Sequence, residues 1–509
     1  MAGWGAPVSA GLYSRCNHGL SRNEVGERRQ GGASILEGVE RRGRACAWSG
    51  GAAGGATGGG GGNSSAAGAV IGGDPADLAR ARFGAEMTEH IAVKNFREYL
   101  RIPTVQPNVN YDACVEFLKR MAKGLGLPCK VYTPVRNKPI VVITWQGTNP
   151  NIPTLLLNSH MDVVPVFKEK WTHDPFGAEK DANGNIYARG AQDMKCVGIQ
   201  YIEAVRKLKE SGVKLSRTIH MSFVPDEEIG GEDGMGIWSQ TEDFKALNVG
   251  CALDEGMASP DETYILFYAE RSIWQVHIHC PGTPGHGSLL LPETAGEKMR
   301  KVIDSFMDYR SKEKLKLETN PDLSIGDVIT INLTRVKGGV QNNVIPPEMI
   351  VGFDCRLPPS TDLEAFDKFI SDTCKAAGKG VYPEFQQKQA SCDITKLDNT
   401  NPFWITFKEV IDNLGLKVKH RVFPGGTDSR FVRALGIPAF GFSPMNETPV
   451  LLHDHDEFFH GEFLISGAEA QRFTDFTPSH QTPQLRWKPQ KEIKYFIITH
   501  LINKNQPLF

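Results

Sequence analysis

A short apolar segment that ends in a histidine and an aspartate constrains this chain more than any other stretch. The run Thr154-Leu-Leu-Leu-Asn-Ser-His160-Met-Asp162 begins apolar and ends polar, a pattern typical of a buried β-strand that stops at the edge of a sheet. Side chains two residues apart on a strand point to the same face, and open α/β sheets bind ligands at this edge. His160 and Asp162 are therefore candidate site residues, although a surface histidine beside a salt-bridging aspartate is the commoner occurrence of this pair.

Further acidic residues and another histidine follow strand-like or helix-like segments elsewhere in the chain. They are Asp193 in Gly-Ala-Gln-Asp, Glu227 and Glu228 after Phe-Val-Pro-Asp, Glu255 in Ala-Leu-Asp-Glu, and His453 in His-Asp-His-Asp-Glu. Two divalent cations that share a carboxylate need about one imidazole and one carboxylate each, and this ligand chemistry suits zinc. The set that meets this need is His160, Asp193, Glu228, Glu255 and His453.

Two neighbours of these ligand candidates have separate roles in this interpretation. Asp162 can accept a hydrogen bond from the free ring nitrogen of His160 and so fix its tautomer. Glu227 adjoins a ligand candidate without being one, which suits a general base that removes a proton from water. Simpler interpretations exist: Glu227–Glu228 as a solvated turn, Asp193 as a helix N-cap, and the His453 segment as a polar loop. Five such segments in one α/β pattern favour the joint interpretation.

The order of strand-like and helix-like segments predicts an α/β fold with a smaller domain inserted into it. Residues 1–86 are rich in Gly and Ala and are expected to be disordered. Residues 87–268 and 390–470 show the strand–helix–strand order of a catalytic domain with a mixed, mainly parallel sheet. Residues 269–389 predict a β-α-β-β-α insert with an antiparallel sheet. Residues 471–509 form an atypical polar tail, in which the apolar patch at 495–502 is either a strand or a half-docked helix.

Charge and cysteine usage exclude some classes of partner. The formal net charge of −2 over 509 residues argues against nucleic acid or an anionic membrane as a partner. No apolar run reaches the roughly 18 residues of a transmembrane helix. Ten cysteines without a Cys-x-x-Cys pair predict reduced thiols rather than a disulfide framework. We therefore expect a cytoplasmic protein, with an organelle as the second choice.

Several motifs together resemble one enzyme family. They are Asn158-Ser-His-Met-Asp-Val-Val-Pro-Val, Tyr187-Ala-Arg-Gly-Ala-Gln-Asp-Met-Lys-Cys, Phe223-Val-Pro-Asp-Glu-Glu, Ala252-Leu-Asp-Glu-Gly, Pro284-Gly-His286, Asn343-Val-Ile-Pro and Ser443-Pro-Met-Asn-Glu-Thr-Pro-Val-Leu-Leu-His-Asp-His-Asp-Glu. From about residue 88 to about residue 467 the chain is similar to the aminoacylase-1 family of N-acyl-L-amino-acid amidohydrolases. That family belongs to the di-zinc exopeptidases, which include carboxypeptidase G2-like enzymes.

The resemblance implies a fold, a metal centre and a reaction. The fold would be a zinc-exopeptidase-type catalytic domain interrupted by a lid, through which the protein forms a homodimer. Each subunit would bind two Zn²⁺ ions, with Asp193 bridging them, His160 and Glu255 on one ion, and Glu228 and His453 on the other. The expected reaction is hydrolysis of small N-acyl-L-amino acids, N-acetylated aliphatic ones in particular, to a free amino acid and a carboxylate.

The same resemblance implies roles in catalysis and substrate binding. Glu227 would be the general base and Asp162 the orienting acid. His286, in the lid of one subunit, would reach into the other subunit's site and polarise the scissile carbonyl. Asn343 and Arg430 would grip the substrate, since a guanidinium fork matches an α-carboxylate. The simpler interpretation of Arg430 is an ordinary surface arginine.

Some choices stay open at this point. Asp254 competes with Glu255 as a ligand, and His455 competes with His453. After Gly467 the family continues as an amphipathic helix that packs on the catalytic domain, but this chain has a polar, proline-containing tail, so the patch at 495–502 would have to cover that face. The competing functions are a dipeptidase or carboxypeptidase of the same family, and a metal-depleted dimeric binding protein.

Overall fold

The computed structural model of this chain describes residues 89–465 and 497–501. The disorder expected for residues 1–86 and most of the polar tail lie outside the described residues. The strands, in chain order, are β1 Cys129–Val135, β2 Lys138–Trp145, β3 Thr154–His160, β4 Glu179–Lys180, β5 Asn185–Tyr187, β6 Ile219–Val224, β7 Val249–Asp254, β8 Tyr264–Glu270, β9 Ser272–Pro281, β10 Gly285–His286, β11 Thr330–Gly338, β12 Val344–Ile345, β13 Glu348–Leu357, β14 Tyr382–Lys388, β15 Val418–Phe423, β16 Ala439–Phe442 and β17 Phe458–His460.

The helices connect and cover these strands. The α-helices are α1 Ile91–Leu100, α2 Asp112–Leu125, α3 Lys195–Glu210, α4 Glu242–Lys245, α5 Ala295–Thr319, α6 Leu363–Ala377, α7 Pro402–Asn413, α8 Ser429–Arg433 and α9 Glu462–Ile465. Short 3₁₀ turns occur at Lys168–Lys170, Glu227–Ile229 and Ile325–Asp327, and a π-helical turn spans Glu232–Gly236.

The main sheet has eight strands in the order β1-β2-β6-β3-β7-β16-β8-β15. Four of its seven neighbouring pairs are parallel, so the sheet is mixed and mainly parallel, as the sequence predicts. Both faces are covered: Leu155 and Leu157 of β3 join one apolar core, and Leu156 between them joins the other. Burial on both faces explains why β3 is an uninterrupted apolar run rather than an alternating one.

Three adjacent parallel strands bring the candidate site residues to one edge of this sheet. The strands β6, β3 and β7 are neighbours and run in the same direction. They end at Val224, His160 and Asp254, and parallel neighbours lie about 4.8 Å apart. The turn with Glu227 and the residue Glu255 therefore follow strand ends that flank His160.

A separate four-stranded antiparallel sheet, in the order β11-β13-β9-β14, is formed within the inserted part of the chain. Its core includes Val276, Phe306 and Phe353, with α5 and α6 supplying residues to the same cluster. The strand β14 and the two-residue pair β10–β12 are additional to the predicted β-α-β-β-α order. Alternating half-buried and exposed positions in β14 give it little apolar signal, which is why the sequence pattern missed it.

The described part of the apolar patch near the carboxyl end, residues 497–501, is helical. Residues 497–501 form a helical turn, and the side chains of Ile497, Ile498 and Leu501 are buried in the same core cluster as α1 and α3. Of the two alternatives left open by the sequence, a strand or a half-docked helix, residues 497–501 adopt the helix. The patch covers part of the apolar core that an otherwise polar tail would have left exposed.

Two further observations concern thiols and membranes. The eight cysteines in the described part of the chain are free. Within residues 89–465 and 497–501, no helix combines the length and the apolar character needed to cross a membrane.

One buried histidine in the main sheet gives stability a pH dependence. His220 on β6 is buried, with Nδ1 2.9 Å from Thr144 Oγ1, and burial lowers its pKa from 6.5 to about 4. The unfolded chain therefore takes up a proton that the folded chain excludes, so this contribution to stability is complete above pH 6.5 and is lost as the pH falls toward 4. Between pH 7 and pH 5, the unaltered protein should lose about 2 kcal/mol more unfolding free energy than His220→Gln.

Urea unfolding curves of the two proteins at both pH values measure this difference. Equal losses of unfolding free energy in the unaltered protein and in His220→Gln would contradict the prediction. They would show that the His220 ring takes up its proton as readily in the folded protein as in the unfolded chain.

Candidate metal centre

Two groups of histidine and carboxylate side chains meet at the edge of the main sheet. In the first group His160 Nε2 lies 3.0 Å from Asp193 Oδ1 and 3.7 Å from Glu255 Oε2. In the second, His453 Nε2 lies 3.1 Å from Asp193 Oδ2 and 3.0 Å from Glu228 Oε2. Within each group the potential ligand atoms all lie within 4.8 Å of one another. Asp193 belongs to both groups, one oxygen facing each.

Strand ends and loops both contribute to this arrangement. His160 is the last residue of β3, Glu255 follows β7, and Glu228 lies in the 3₁₀ turn after β6. Asp193 and His453 come from loops, the first before α3 and the second before β17. The structure thus brings together all five residues that the sequence predicted as ligands. Their role as ligands and the identity of the ion stay predictions.

The prediction that Asp193 caps a helix is wrong. The helix α3 begins at Lys195 with Met194 at the N-cap position, and that cap makes no side-chain hydrogen bond. Both carboxylate oxygens of Asp193 instead face the two histidine rings. A backbone N–H partner would have occupied one of these oxygens, so leaving the cap position frees both for cation binding.

Burial and mutual charge shift the pKa values of all five residues. Burial would lower the pKa of His160, but Asp193 and Glu255 raise it well above its ordinary value. Asp193 and Glu228 raise the pKa of His453 to about 10. Burial would raise the pKa of Asp193, but hydrogen bonds from the two histidines lower it. Burial, followed by repulsion from Asp193, raises the pKa of Glu228 to about 7 and that of Glu255 well above its usual range.

These residues fit a pair of divalent cations. Three buried carboxylates lie together, and in the described part of the chain their ion pairs are with histidines only, with no lysine or arginine to neutralise them. Glu228 Oε1 is buried without a hydrogen-bond partner. Buried charges of one sign are unstable unless they are paired or coordinate a metal, and the set of two imidazoles and three carboxylates matches zinc, with cobalt or manganese as related choices.

Asp162 contacts the site through both its main chain and its side chain. The Nδ1 atom of His160 lies 3.0 Å from the main-chain oxygen of Asp162, nearer than the 3.7 Å to its carboxylate. The carboxylate accepts the backbone N–H groups of Glu227 at 3.2 Å and of Glu228 at 3.1 Å. The carbonyl oxygen therefore orients the His160 ring, and the side chain holds the turn that carries Glu227 and Glu228.

A buried polar network supports this turn, and sequence reasoning missed it. The amide of Gln106 donates to Asp162 at 2.8 Å and to Asp226 at 3.0 Å. Asp226 also accepts the hydroxyl of Tyr111 at 2.7 Å and forms an ion pair with Lys138. These residues lie in loops and elements far from the motifs, and an isolated Gln-Pro or Asn-Tyr dipeptide carries no signal of a role in the site.

The structure separates the competing ligand candidates. Asp254 accepts hydrogen bonds from Asn158 at 3.1 Å and from Ser429 at 2.8 Å, so both its oxygens are engaged with protein donors. The ring of His455 packs edge-to-face on Phe167, with centroids 6.3 Å apart. Neither is a member of the two groups, whereas Glu255 and His453 are.

Glu227 lies in the same turn as Glu228 but outside both groups. Burial, followed by repulsion from Glu255, raises the pKa of Glu227 well above its usual range. Divalent cations bound at the neighbouring groups would add positive charge and counteract that shift. A carboxylate in the same turn as a ligand candidate but outside both groups is in the position expected for a general base.

The candidate substrate residues lie in two places. Arg430, in α8, donates to the carbonyl of Gly230, just beyond the Glu227–Glu228 turn. His286 and Asn343 are neighbours in the inserted part, since Gly287 N donates to Asn343 O at 2.7 Å and β10 pairs with β12. Both are exposed, and His286 Nδ1 lies 2.8 Å from Ser288 Oγ. The roles proposed for these three residues stay predictions.

Comparison with known proteins identifies relatives of this chain. The family model for peptidase family M20/M25/M40 matches residues 156–472. Human aminoacylase-1 is 50% identical over 381 residues, covering 75% of this chain and 93% of that protein. The M20 family metallo-carboxypeptidase Sso-CP2 of Sulfolobus solfataricus has a similar fold, with a TM-score of 0.59 at 16% identity over 81% of this chain and 100% of that one. The YXEP protein of Bacillus subtilis, a dinuclear metal-binding M20 peptidase, gives 0.54 at 17% identity over 81% and 99%.

These relatives confirm the resemblance to the aminoacylase-1 family, the α/β fold class and the prediction of a hydrolase. The match to human aminoacylase-1 extends over almost the whole of that enzyme, and the two similar folds are those of M20 peptidases. The chain therefore belongs to peptidase family M20/M25/M40, as a relative of aminoacylase-1 and a metal-dependent amidohydrolase.

Proposed function

We propose that this protein hydrolyses N-acyl-L-amino acids, with N-acetylated aliphatic amino acids as preferred substrates and two Zn²⁺ ions bound per subunit. The observation that carries the proposal is Asp193, which offers one carboxylate oxygen to each of two groups of ligands, with Glu227 in the adjacent turn. The substrate class is that named by the aminoacylase-1 relatives, with which this chain shares about half its residues over the matched region.

His160, Asp193 and Glu255 would hold one cation, and Asp193, Glu228 and His453 would hold the other. Bound cations would supply Lewis-acid polarisation of the amide carbonyl and would lower the pKa of water toward neutrality.

Glu227 removes the proton from the attacking water and then donates it to the departing amine nitrogen. Asp162 keeps Glu227 in position by accepting the N–H groups of the turn. The free amino acid and the carboxylate are the two products.

Substrate binding is assigned to Arg430, His286 and Asn343. The guanidinium of Arg430 pairs with the α-carboxylate of the substrate. His286 and Asn343 reach the site from the lid of the second subunit of a homodimer, and His286 donates to the carbonyl oxygen as negative charge develops there. Support for a lid-mediated dimer comes from the edge strand β11, exposed from its third residue onward. An exposed edge strand is a template for pairing with another chain.

We infer that residues 269–389 are the lid, that 87–268 and 390–470 are the two parts of the catalytic domain, and that the protein is cytoplasmic. The antiparallel sheet of the inserted part is built entirely from strands within 269–389. The eight free cysteines in the described residues suit a reducing compartment.

Turnover and metal content measured on the same preparation test the proposal. We expect two zinc equivalents per chain and hydrolysis of N-acetyl-methionine at least about 10-fold more efficient, in kcat/KM, than that of Met-Ala, a difference of about 1.4 kcal/mol. N-acetyl-methionine amide, which lacks the α-carboxylate, serves as the control for Arg430 and should be a poorer substrate. Preferred cleavage of Met-Ala would make the protein a dipeptidase, and absence of both metal and turnover would make it a binding protein.

A further inference from the structure

A buried carboxylate outside the ligand groups gathers the loop that carries Asp193. Glu457 is fully buried, and its Oε2 accepts Nη1 of Arg189 at 2.7 Å and the backbone N–H of Gly190 at 3.1 Å. Its Oε1 accepts the backbone N–H groups of Gln192 at 2.5 Å and of Asp193 at 3.2 Å. One side chain therefore accepts three of the five backbone N–H groups of residues 189–193, together with the Arg189 guanidinium. Charge-assisted bonds of this kind are roughly twice as strong as neutral ones.

The same pair of residues also holds the loop that carries His453. Glu457 follows His453 by four positions in the sequence, and Arg189 Nη2 donates to the main-chain oxygen of His453 at 3.2 Å. The side chain of Gln192 bridges the two loops again, donating to Pro449 O at 3.1 Å and Phe458 O at 2.9 Å. The Asp193 loop and the His453 loop are thus joined side by side through polar contacts.

His453 depends on such support more than His160 does. The His160 side chain is fully buried at a strand end, whereas the side chain of His453 is 50% exposed. The backbone of His453 has φ 62°, a left-handed conformation that costs energy for a residue other than glycine. Gly190 is also left-handed, at φ 83°, and a Cβ there would lie 2.7 Å from Val163. Both loops therefore adopt conformations that need external contacts to persist.

We propose that Glu457, paired with Arg189, is a positioning residue that presets the second cation site by fixing Asp193 and His453 relative to each other. The inference rests on the proposed two-cation function and deepens it. It states that the second cation site depends on contacts from Glu457 more than the first site does. Two of the three ligands of the first group, His160 and Glu255, lie at the strand ends of β3 and β7 and need no contact from Glu457. The second is complete only when two loops are held together, and Glu457 provides the contact.

The test measures metal binding to Glu457→Gln. Equilibrium dialysis gives the zinc affinity of each equivalent, and the visible spectrum on titration with Co²⁺ gives an independent measure of the two sites. A glutamine amide places an NH2 group where one carboxylate oxygen accepts two donors. Either the N–H groups of Gln192 and Asp193, or Arg189 Nη1 and the N–H of Gly190, then lose their acceptor. Because removing partners outside the ligand sphere typically weakens metal binding about 10- to 100-fold, we expect the second equivalent to bind at least about 10-fold more weakly. The first equivalent should bind with an affinity closer to that in the unaltered protein, because His160 and Glu255 keep their strand-end positions.

The control is Glu270→Gln. Glu270 is a fully buried glutamate with the same type of partners, since it pairs with Arg433 at 2.6 Å and accepts Thr427 Oγ1 at 2.8 Å, yet it touches neither loop. The variant Glu270→Gln should lose about as much thermal stability as Glu457→Gln and should still bind two equivalents of zinc. If Glu457→Gln does not fold, Arg189→Lys removes the fork that spans Glu457 and the His453 carbonyl while keeping the charge, and the same selective loss is expected.

Two equivalents of unchanged affinity in Glu457→Gln, or equal weakening of both, would overturn the positioning role. Failure of the two-cation function itself is a different result, because then the unaltered protein would bind fewer than two equivalents. The stoichiometry of the unaltered protein therefore separates the two outcomes before any variant is compared.

Discussion

Glu227→Gln should lower kcat for N-acetyl-methionine by about 10³-fold and leave two metal equivalents bound, because general acid–base catalysis typically contributes 10²- to 10⁴-fold. The glutamine side chain is nearly the same size and cannot take a proton from water. Its backbone N–H still donates to Asp162, so the turn and the neighbouring ligand Glu228 should stay in place. The loss is therefore expected in kcat, with KM changed little.

The measurement pairs steady-state kinetics with zinc analysis of the same preparation, and Glu232→Gln is the matched control. Glu232 is an exposed glutamate five residues further on, in the turn that follows, and its replacement should leave kcat unchanged. Turnover of Glu227→Gln within about 3-fold of the unaltered protein would remove Glu227 from the base role. Loss of a metal equivalent would make Glu227 a ligand instead.

The parts of the site that lie at strand ends could be predicted from the sequence. His160 ends β3, and Glu228 and Glu255 follow β6 and β7. An apolar run that ends in a polar residue already indicates which edge of the sheet they occupy. Because parallel neighbours end at the same edge, the convergence of these residues follows from local patterns and one rule of topology. The resemblance to a known family added the pairing of ligands with individual ions, which no pattern of spacing contains.

The parts held by long-range polar contacts could not be predicted. Gln106 and Glu457 act through hydrogen bonds to residues about 50 to 270 positions away, and a hydrogen bond across the fold leaves no periodicity in the sequence. Asp193 showed the opposite error, since its place before a helix suggested a cap and its carboxylate faces two histidines instead. Propensity rules describe what a residue does locally, whereas a site residue is often held away from its local preference.

Asp193→Asn should remove both metal equivalents and reduce hydrolysis to background, the largest effect expected of any single substitution here. Asp193 is the residue common to the two groups, and an amide offers one neutral oxygen where the carboxylate offers two charged ones. The remaining carboxylates then lack the charge to hold two cations. A ligand whose free concentration is 100 times its dissociation constant stabilises a folded protein by about 2.7 kcal/mol. Each lost cation therefore also lowers the free energy of unfolding.

Differential scanning fluorimetry with and without a chelator measures the stability that bound metal contributes, independently of activity. The unaltered protein should melt at a lower temperature once the metal is removed, whereas Asp193→Asn should show no shift. His453→Ala is the informative comparison, because it breaks only the second group and leaves His160, Asp193 and Glu255 intact, so one equivalent and a partial shift should persist. A full chelator shift in Asp193→Asn would place the cations elsewhere, since none of the remaining four residues, as the structure places them, belongs to both groups.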